Sequence, residues 1–307
     1  MPALRVEKSI VINAPAEKVY GVVRDFKEWV PWSPWLIAEP GCSVSYADDG
    51  MSYSWDGRII GSGKMILLQE DAPRAMRYRL NFLKPWKSES AVAFDFVEKD
   101  GGTEVTWSMD GSLPIFMFWM KTMMVYMVGM DYERGLKMLK DYVETGSVPS
   151  EVAFPGEETY SGCRYVGIAT ECAIENIGDS MEADFRKLGE WLQESGATPS
   201  GPPFTIYNEW SMGKGTCGYV SGFPVAAETE NLPDGFVTGE APSCRGYVVR
   251  HTGPFRHLGN AWSSGMMHGR AKQFNQAKKI YPFEVYETDP LSTPEGDLVT
   301  AVYFPVK

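Results

Sequence analysis

The sequence predicts an α+β chain of two domains: a curved antiparallel sheet wrapped around a long helix, then a duplicated β-α-β-β unit. Three observations predict it. In the first half, a strand, a short helix and a series of short strands lead into one long apolar helix. In the second half, short segments recur at a nearly fixed offset. Pro203-Phe204-Thr205-Ile206-Tyr207 returns 79 residues later as Pro282-Phe283-Glu284-Val285-Tyr286. Phe223-Pro224-Val225 and Cys163-Arg164 return 81 residues later as Phe304-Pro305-Val306 and Cys244-Arg245. Between the halves, residues 147–161 concentrate Pro, Gly, Ser and Glu without periodicity, as a linker does. The expected boundaries are therefore 1–146, 147–161 and 162–307.

Along the first half, Val6 to Ile12 alternates apolar and polar residues, as a half-buried strand does. Asn13-Ala14-Pro15 opens a helix, since proline is tolerated in a first turn, and Val19, Tyr20, Val22, Val23 and Phe26 form its apolar face. From Ser43 to Asp110, turn signals such as Asp48-Asp49-Gly50, Asp56-Gly57 and Asp100-Gly101-Gly102 divide short strands. A long helix follows from about Ile115 to Val143. It carries Trp119, Met120, Met123, Met124, Met127 and Met130, a polarizable stripe that suits an apolar cavity as well as a core.

These residues resemble the START-like, or SRPBCC, helix-grip superfamily, also described as polyketide cyclase-like. The resemblance rests on Ile12-Asn13-Ala14-Pro15-Ala16-Glu17-Lys18-Val19-Tyr20, on Asp25 with Trp32-Ser33-Pro34, and on Gly102-Thr103-Glu104-Val105-Thr106-Trp107. It implies a helix-grip domain over about residues 3–145, with Trp119, Met123 and Met127 lining a cavity. Function does not follow, because the superfamily spans carriers, receptors and cyclases.

Composition narrows the partners. The formal charge is −11, with 17 Lys/Arg against 20 Asp/Glu in residues 1–150 and 12 against 20 in residues 151–307. So acidic a chain lacks the basic footprint that phosphate neutralisation demands, and no nucleic acid is expected as a partner. Five cysteines with no CxxC pair read as reduced thiols of a cytoplasmic protein. The start MPALRVEKSIVI has no signal-peptide pattern. The apolar run from Leu113 to Met130 begins with Pro114 and holds Lys121, so a buried helix is expected and not membrane insertion. No His, Cys or carboxylate cluster points to a metal, and no cofactor is expected.

In the second half each copy reads strand, helix, strand, strand: Arg164–Thr170, Ser180–Ser195, Phe204–Glu209 and Gly218–Val225, then Gly246–His251, Leu258–Ile280, Phe283–Glu287 and Val299–Pro305. Alternation puts Glu284 and Tyr286 on one face of their strand and Phe283 and Val285 on the other. If the latter face the core, Glu284 faces the cleft between the copies. A carboxylate there is either a counter-charge for a cation or a base whose pKa burial has raised. Thr205 at the matching position of the first copy shows that the repeat needs no charge there. Tyr207, Trp210, Tyr219, Tyr247, Trp262, Tyr286 and Tyr303 are candidates to wall the cleft, their rings suiting a planar or cationic guest. His251, before Gly-Pro, reads as structural; His257 and His268 read as exposed helix residues. Gly213-Lys214-Gly215-Thr216 reads as a hairpin turn.

This half resembles the GyrI-like family, the effector-binding domain also attached to AraC-type and multidrug-responsive regulators. The resemblance is carried by His251-Thr252-Gly253-Pro254-Phe255, Ala261-Trp262, Phe283-Glu284-Val285-Tyr286 and Val302-Tyr303-Phe304-Pro305-Val306. It implies a small-molecule ligand and a ligand-facing carboxylate at Glu284. The first copy has no counterpart of the His-x-Gly-Pro-Phe turn, and no helix-turn-helix reader is evident in the sequence. Some stand-alone members of the family hydrolyse cyclopropane-bearing genotoxic natural products. In such an enzyme Glu284 would activate water; in a binder it would anchor a planar, hydrophobic or cationic ligand.

Overall fold

The alternation near the start becomes β1 (Ala3–Ile12), which pairs antiparallel with β7 (Gly102–Ser112) in the computed structural model of the chain. The structure describes residues 3–112, 115–226 and 232–307, with backbone alone at 115–117; Leu113 and Pro114, which open the apolar run, lie outside it. Two units divide the chain: residues 1–150 with 266–271, and residues 151–265 with 272–307.

In the first unit, β1 is followed by α1 (Ala16–Arg24) and a 3-10 segment at Phe26–Trp32. Then come β2 (Ser43–Tyr46), β3 (Ser52–Asp56), β4 (Ser62–Asp71), β5 (Ala75–Lys84), β6 (Ser88–Lys99) and β7. The sheet order is β1-β7-β6-β5-β4-β3-β2, a meander whose last strand returns to pair with the first. α2 (Lys121–Thr145) packs on β1 and ends at Gly146, whose φ of 86° is a left-handed conformation that glycine adopts without a Cβ penalty. Its buried face, including Tyr132, Leu136, Leu139 and Val143, meets Trp29, Trp32, Phe94 and Trp107. The Trp107 and Tyr132 rings stack at 4.0 Å and Phe94 lies 4.9 Å from Trp107. Aromatic side chains thus form part of the core between helix and sheet.

The second unit is an eight-stranded antiparallel sheet. Its strands are β8 (Glu151–Tyr160), β9 (Cys163–Ala173), β10 (Phe204–Ser211), β11 (Thr216–Pro224), β12 (Phe236–Ala241), β13 (Cys244–Thr252), β14 (Phe283–Tyr286) and β15 (Val299–Pro305). α3 (Ile177–Ser195) lies between β9 and β10, and α4 (Gly259–Arg270), of which residues 259–265 belong to this unit, between β13 and β14. The order β12-β9-β11-β10-β14-β15-β13-β8 is the same read from either edge once β9–β11 is exchanged for β13–β15. A pseudo-twofold relation therefore passes between β10 and β14, at the centre of the sheet.

Two expectations fail here. Residues 147–161 are not a bare linker, because they contain β8. It pairs with β13 across a bulge at Val248/Arg250, and Arg250 holds Glu158 of β8 in an ion pair at 3.2 Å. An edge strand tolerates Pro155, which falls at the bulge, and its exposed face carries Glu157 in place of apolar residues. That composition is what reads as linker. The second helix stops at Arg270, not Ile280: Lys272 has φ 58°, and residues 275–277 leave the helix to bond Pro305 and Lys307 beside β15.

Candidate ligand-binding site

The two central strands present opposite chemistry on their two faces. Phe204, Ile206, Phe283, Val285, Ala301 and Tyr303 share one apolar cluster. Thr205, Tyr207, Glu284 and Tyr286 therefore point to the other face, where α3 packs on β9 and β11. The face split expected from alternation in Phe283–Tyr286 is the one observed.

Glu284 is 1% exposed. Three donors reach its carboxylate: Tyr207 Oη donates to Oε1 at 2.9 Å, Tyr286 Oη to Oε2 at 2.8 Å, and Trp262 Nε1 to Oε1. Trp262 arrives from α4, and Tyr207 and Tyr286 hold the same position in the two copies of the repeat. Every donor is neutral, and among the described residues no cation pairs with this acid. Burial pushes its pKa above the ordinary value, and the three hydrogen bonds pull the other way by favouring the ionised form. The same burial and the neighbouring carboxylate hold both tyrosine hydroxyls protonated, far above their usual range. An unpaired buried carboxylate costs several kcal/mol unless donors or a cation compensate it.

Rings enclose the acid. Tyr207 and Trp262 meet edge to face at 4.8 Å, and Phe185 and Phe255 stand 5.4 and 5.7 Å from Tyr286. The Met181 sulfur is 3.9 Å from both tyrosine hydroxyls. Thr205, opposite Glu284, bonds the Tyr286 hydroxyl at 3.0 Å and faces Ser221 at 3.3 Å. Tyr207 and Trp262 are only partly buried, whereas Glu284 and Tyr286 are buried. Trp262 is held from behind by Phe304 at 5.5 Å.

The other four expected residues are placed differently from one another. Tyr219 is on the site's face but its hydroxyl is committed to Asp184 at 3.0 Å; Thr170 bonds the same oxygen at 2.8 Å. Trp210 lies 6.3 Å from Tyr207 and is 42% exposed, at the rim. Tyr247 stacks on Phe274 at 4.5 Å, beyond Phe304 and away from the acid. Tyr303 is a correction: it pairs with Phe283 and stacks on that ring at 4.8 Å on the opposite face, because its parity in β15 matches Phe283 and not Glu284. Met181, Asp184, Phe185 and Phe255 were missed. Asp184 in particular reads as a solvated helix residue until α3 is laid on the sheet.

In the first unit, Trp119 is 69% exposed while Met123 and Met127 are half-buried. Trp29, Trp32 and Trp107 lie deeper, buried in the core cluster of that unit. His251 is fully buried, and burial followed by the charge of His257 lowers its pKa to about 4, as suits a structural imidazole. His257 and His268, expected on an exposed helix face, are buried. No group of three or more His, Cys, Asp or Glu among the described residues is placed to hold a metal ion, and no described helix is long and apolar enough to cross a membrane.

Residues 3–144 match the family model for polyketide cyclase / dehydrase and lipid transport, and residues 157–307 match that for the GyrI-like small molecule binding domain. No curated protein matches the chain. Similar solved structures include an EcmrR–DNA complex, 15% identical over 60% of this chain and 68% of that one, with a TM-score of 0.44. Others are protein CV1439 from Chromobacterium violaceum (19% identical, 46% and 98% covered, TM-score 0.37) and TTHA0849 from Thermus thermophilus (20%, 48% and 99%, 0.37).

Proposed function

The chain joins a polyketide cyclase-type domain at residues 3–144 to a GyrI-like domain at residues 157–307, and on that premise we propose that the second domain binds a planar, hydrophobic cation. Glu284 is its anchor. One observation carries this reading: a carboxylate 1% exposed whose partners are all neutral, so the charge that would balance it is not supplied by the described residues. A cationic guest recovers part of the desolvation cost, and Tyr207, Trp262 and Phe255 offer ring faces and edges to an aromatic body.

Ethidium, a planar aromatic cation, is the test probe. Fluorescence titration of the full chain should give saturable binding, weakened about tenfold or more by Glu284→Gln. Equal affinity in the two proteins overturns the reading.

The raised pKa of Glu284 favours a second reading, hydrolysis of a strained, cyclopropane-bearing electrophile, in which the carboxylate takes a proton from water. The same substitution separates the two. An enzyme keeps binding and loses turnover by about a hundredfold or more. A binder shows no turnover in either form.

A further inference from the structure

Two thiols lie directly opposite each other outside the Glu284 cluster. Cys172 on β9 pairs in register with Cys217 on β11, and their sulfur atoms are 3.7 Å apart. Opposed residues of an antiparallel pair have Cα atoms about 4.5–5.5 Å apart, within the roughly 4.4–6.8 Å that a disulfide spans. A bond can therefore form without a change of register, the sulfurs closing to about 2.05 Å. Both cysteines are free. Cys217 is fully buried, whereas Cys172 is half-buried and can meet a reagent from solvent.

We propose that Cys172 and Cys217 form a redox-modifiable dithiol that closes to an intramolecular disulfide by exchange with a low-molecular-weight disulfide. This does not depend on the identity of the ligand at Glu284. The Cys172 thiolate attacks one sulfur of the reagent, forming a mixed disulfide and releasing one thiol. The Cys217 sulfur then attacks Cys172 Sγ and expels the second thiol, which takes up the Cys217 proton. Two protein thiols and one small disulfide become one protein disulfide and two small thiols, and the two electrons end in the reagent.

The order of attack follows from the surroundings. Burial, the hydrogen bond to Cys172 and the charge of Cys172 together push the Cys217 thiol up to about 12, so it is a poor first nucleophile. Capping Cys172 removes the second and third of these causes, which readies Cys217 for the second step. The bond would tie β9 to β11 beside the aromatic wall, since Cys217 lies opposite Trp210 and two residues from Tyr219.

The test treats the native full chain with oxidised glutathione and reads intact mass, free thiols and a peptide map. The expected product has lost about 2 Da and two of its five free thiols, carries a 172–217 link, and reverts with dithiothreitol. Cys217→Ser should stop at a glutathione adduct on Cys172, about 305 Da heavier. The wild-type map needs no variant to fold. Adducts without the link, a link between other cysteines alone, or a 172–217 link that forms only in denaturant each overturn the proposal.

Discussion

Thr205 and Glu284 hold the same position in the two copies of the repeat and face each other directly across β10 and β14. The pseudo-twofold relation passes between them. Its tyrosines are symmetric, Tyr207 and Tyr286 each giving a hydroxyl to a different oxygen of one acid, but the acid itself is single. The geometry requires that. Two carboxylates here would stand with Cβ atoms about 4.5–5.5 Å apart in a buried setting, where both cannot be charged.

Restoring the symmetry should therefore be costly. Thr205→Asp, close to threonine in volume, is expected to destabilise the second domain by about 2–4 kcal/mol at pH 7 and much less near pH 4. Urea unfolding at both pH values checks this. Thr205→Val, which loses the bonds to Tyr286 and Ser221, should cost about 1 kcal/mol at either pH.

The acid also sets a pH dependence. Burial raises the folded pKa of Glu284 above its ordinary 4.5, so its contribution to stability is fully present below that value and is lost as pH rises through the folded pKa. Glu284→Gln should accordingly be more stable than the parent at neutral pH, with the difference vanishing near pH 4. Affinity for ethidium should run the opposite way in the parent, rising through the same pKa as the carboxylate ionises.

Each donor adjusts that midpoint. Tyr207→Phe or Trp262→Phe removes a hydrogen bond that favours the ionised form, so the pH midpoint of ethidium binding should move upward in either variant. A midpoint unchanged in both would mean that these groups do not set the charge of the acid.

The placement of α4 can be probed from behind the site. A Cβ on Gly265 would run into the Phe304 ring, which itself backs Trp262. Gly265→Ala should cost about 1–3 kcal/mol and weaken ethidium binding as α4 shifts Trp262 away from Glu284. Thermal unfolding and titration of the same sample distinguish this from a purely local loss.

How much was legible in the sequence differs residue by residue. The face of Glu284 was readable because strand parity is local and, within the repeated five-residue segment, Thr205 and Glu284 mark the position where the copies differ in charge. Tyr303 was not, because its parity relative to Glu284 depends on the register of β15 against β14, and one strand's sequence does not carry the register of the next. β8 was lost to composition: an edge strand with Pro, Gly and paired Glu has the chemistry of a connector. Asp184 and Met181 sit on α3, and only docking that helix on β9 and β11 brings them near the tyrosines. The Met stripe of α2 leaves core and cavity open in the sequence; the burial of Trp29, Trp32 and Trp107 deeper in the same unit appears only once helix and sheet are packed.

The leading strands of the two copies are exchanged: β8, which precedes the first, borders β13 of the second, and β12, which precedes the second, borders β9 of the first. Neither half is thus a self-sufficient module. A fragment ending at Ala241 would carry β8 with nothing to lie against, and the remainder would bare the flank of β13. The two pieces should recover their pairing only by coming together without a peptide link, which makes the break after β12 the natural place to split this domain into complementing parts.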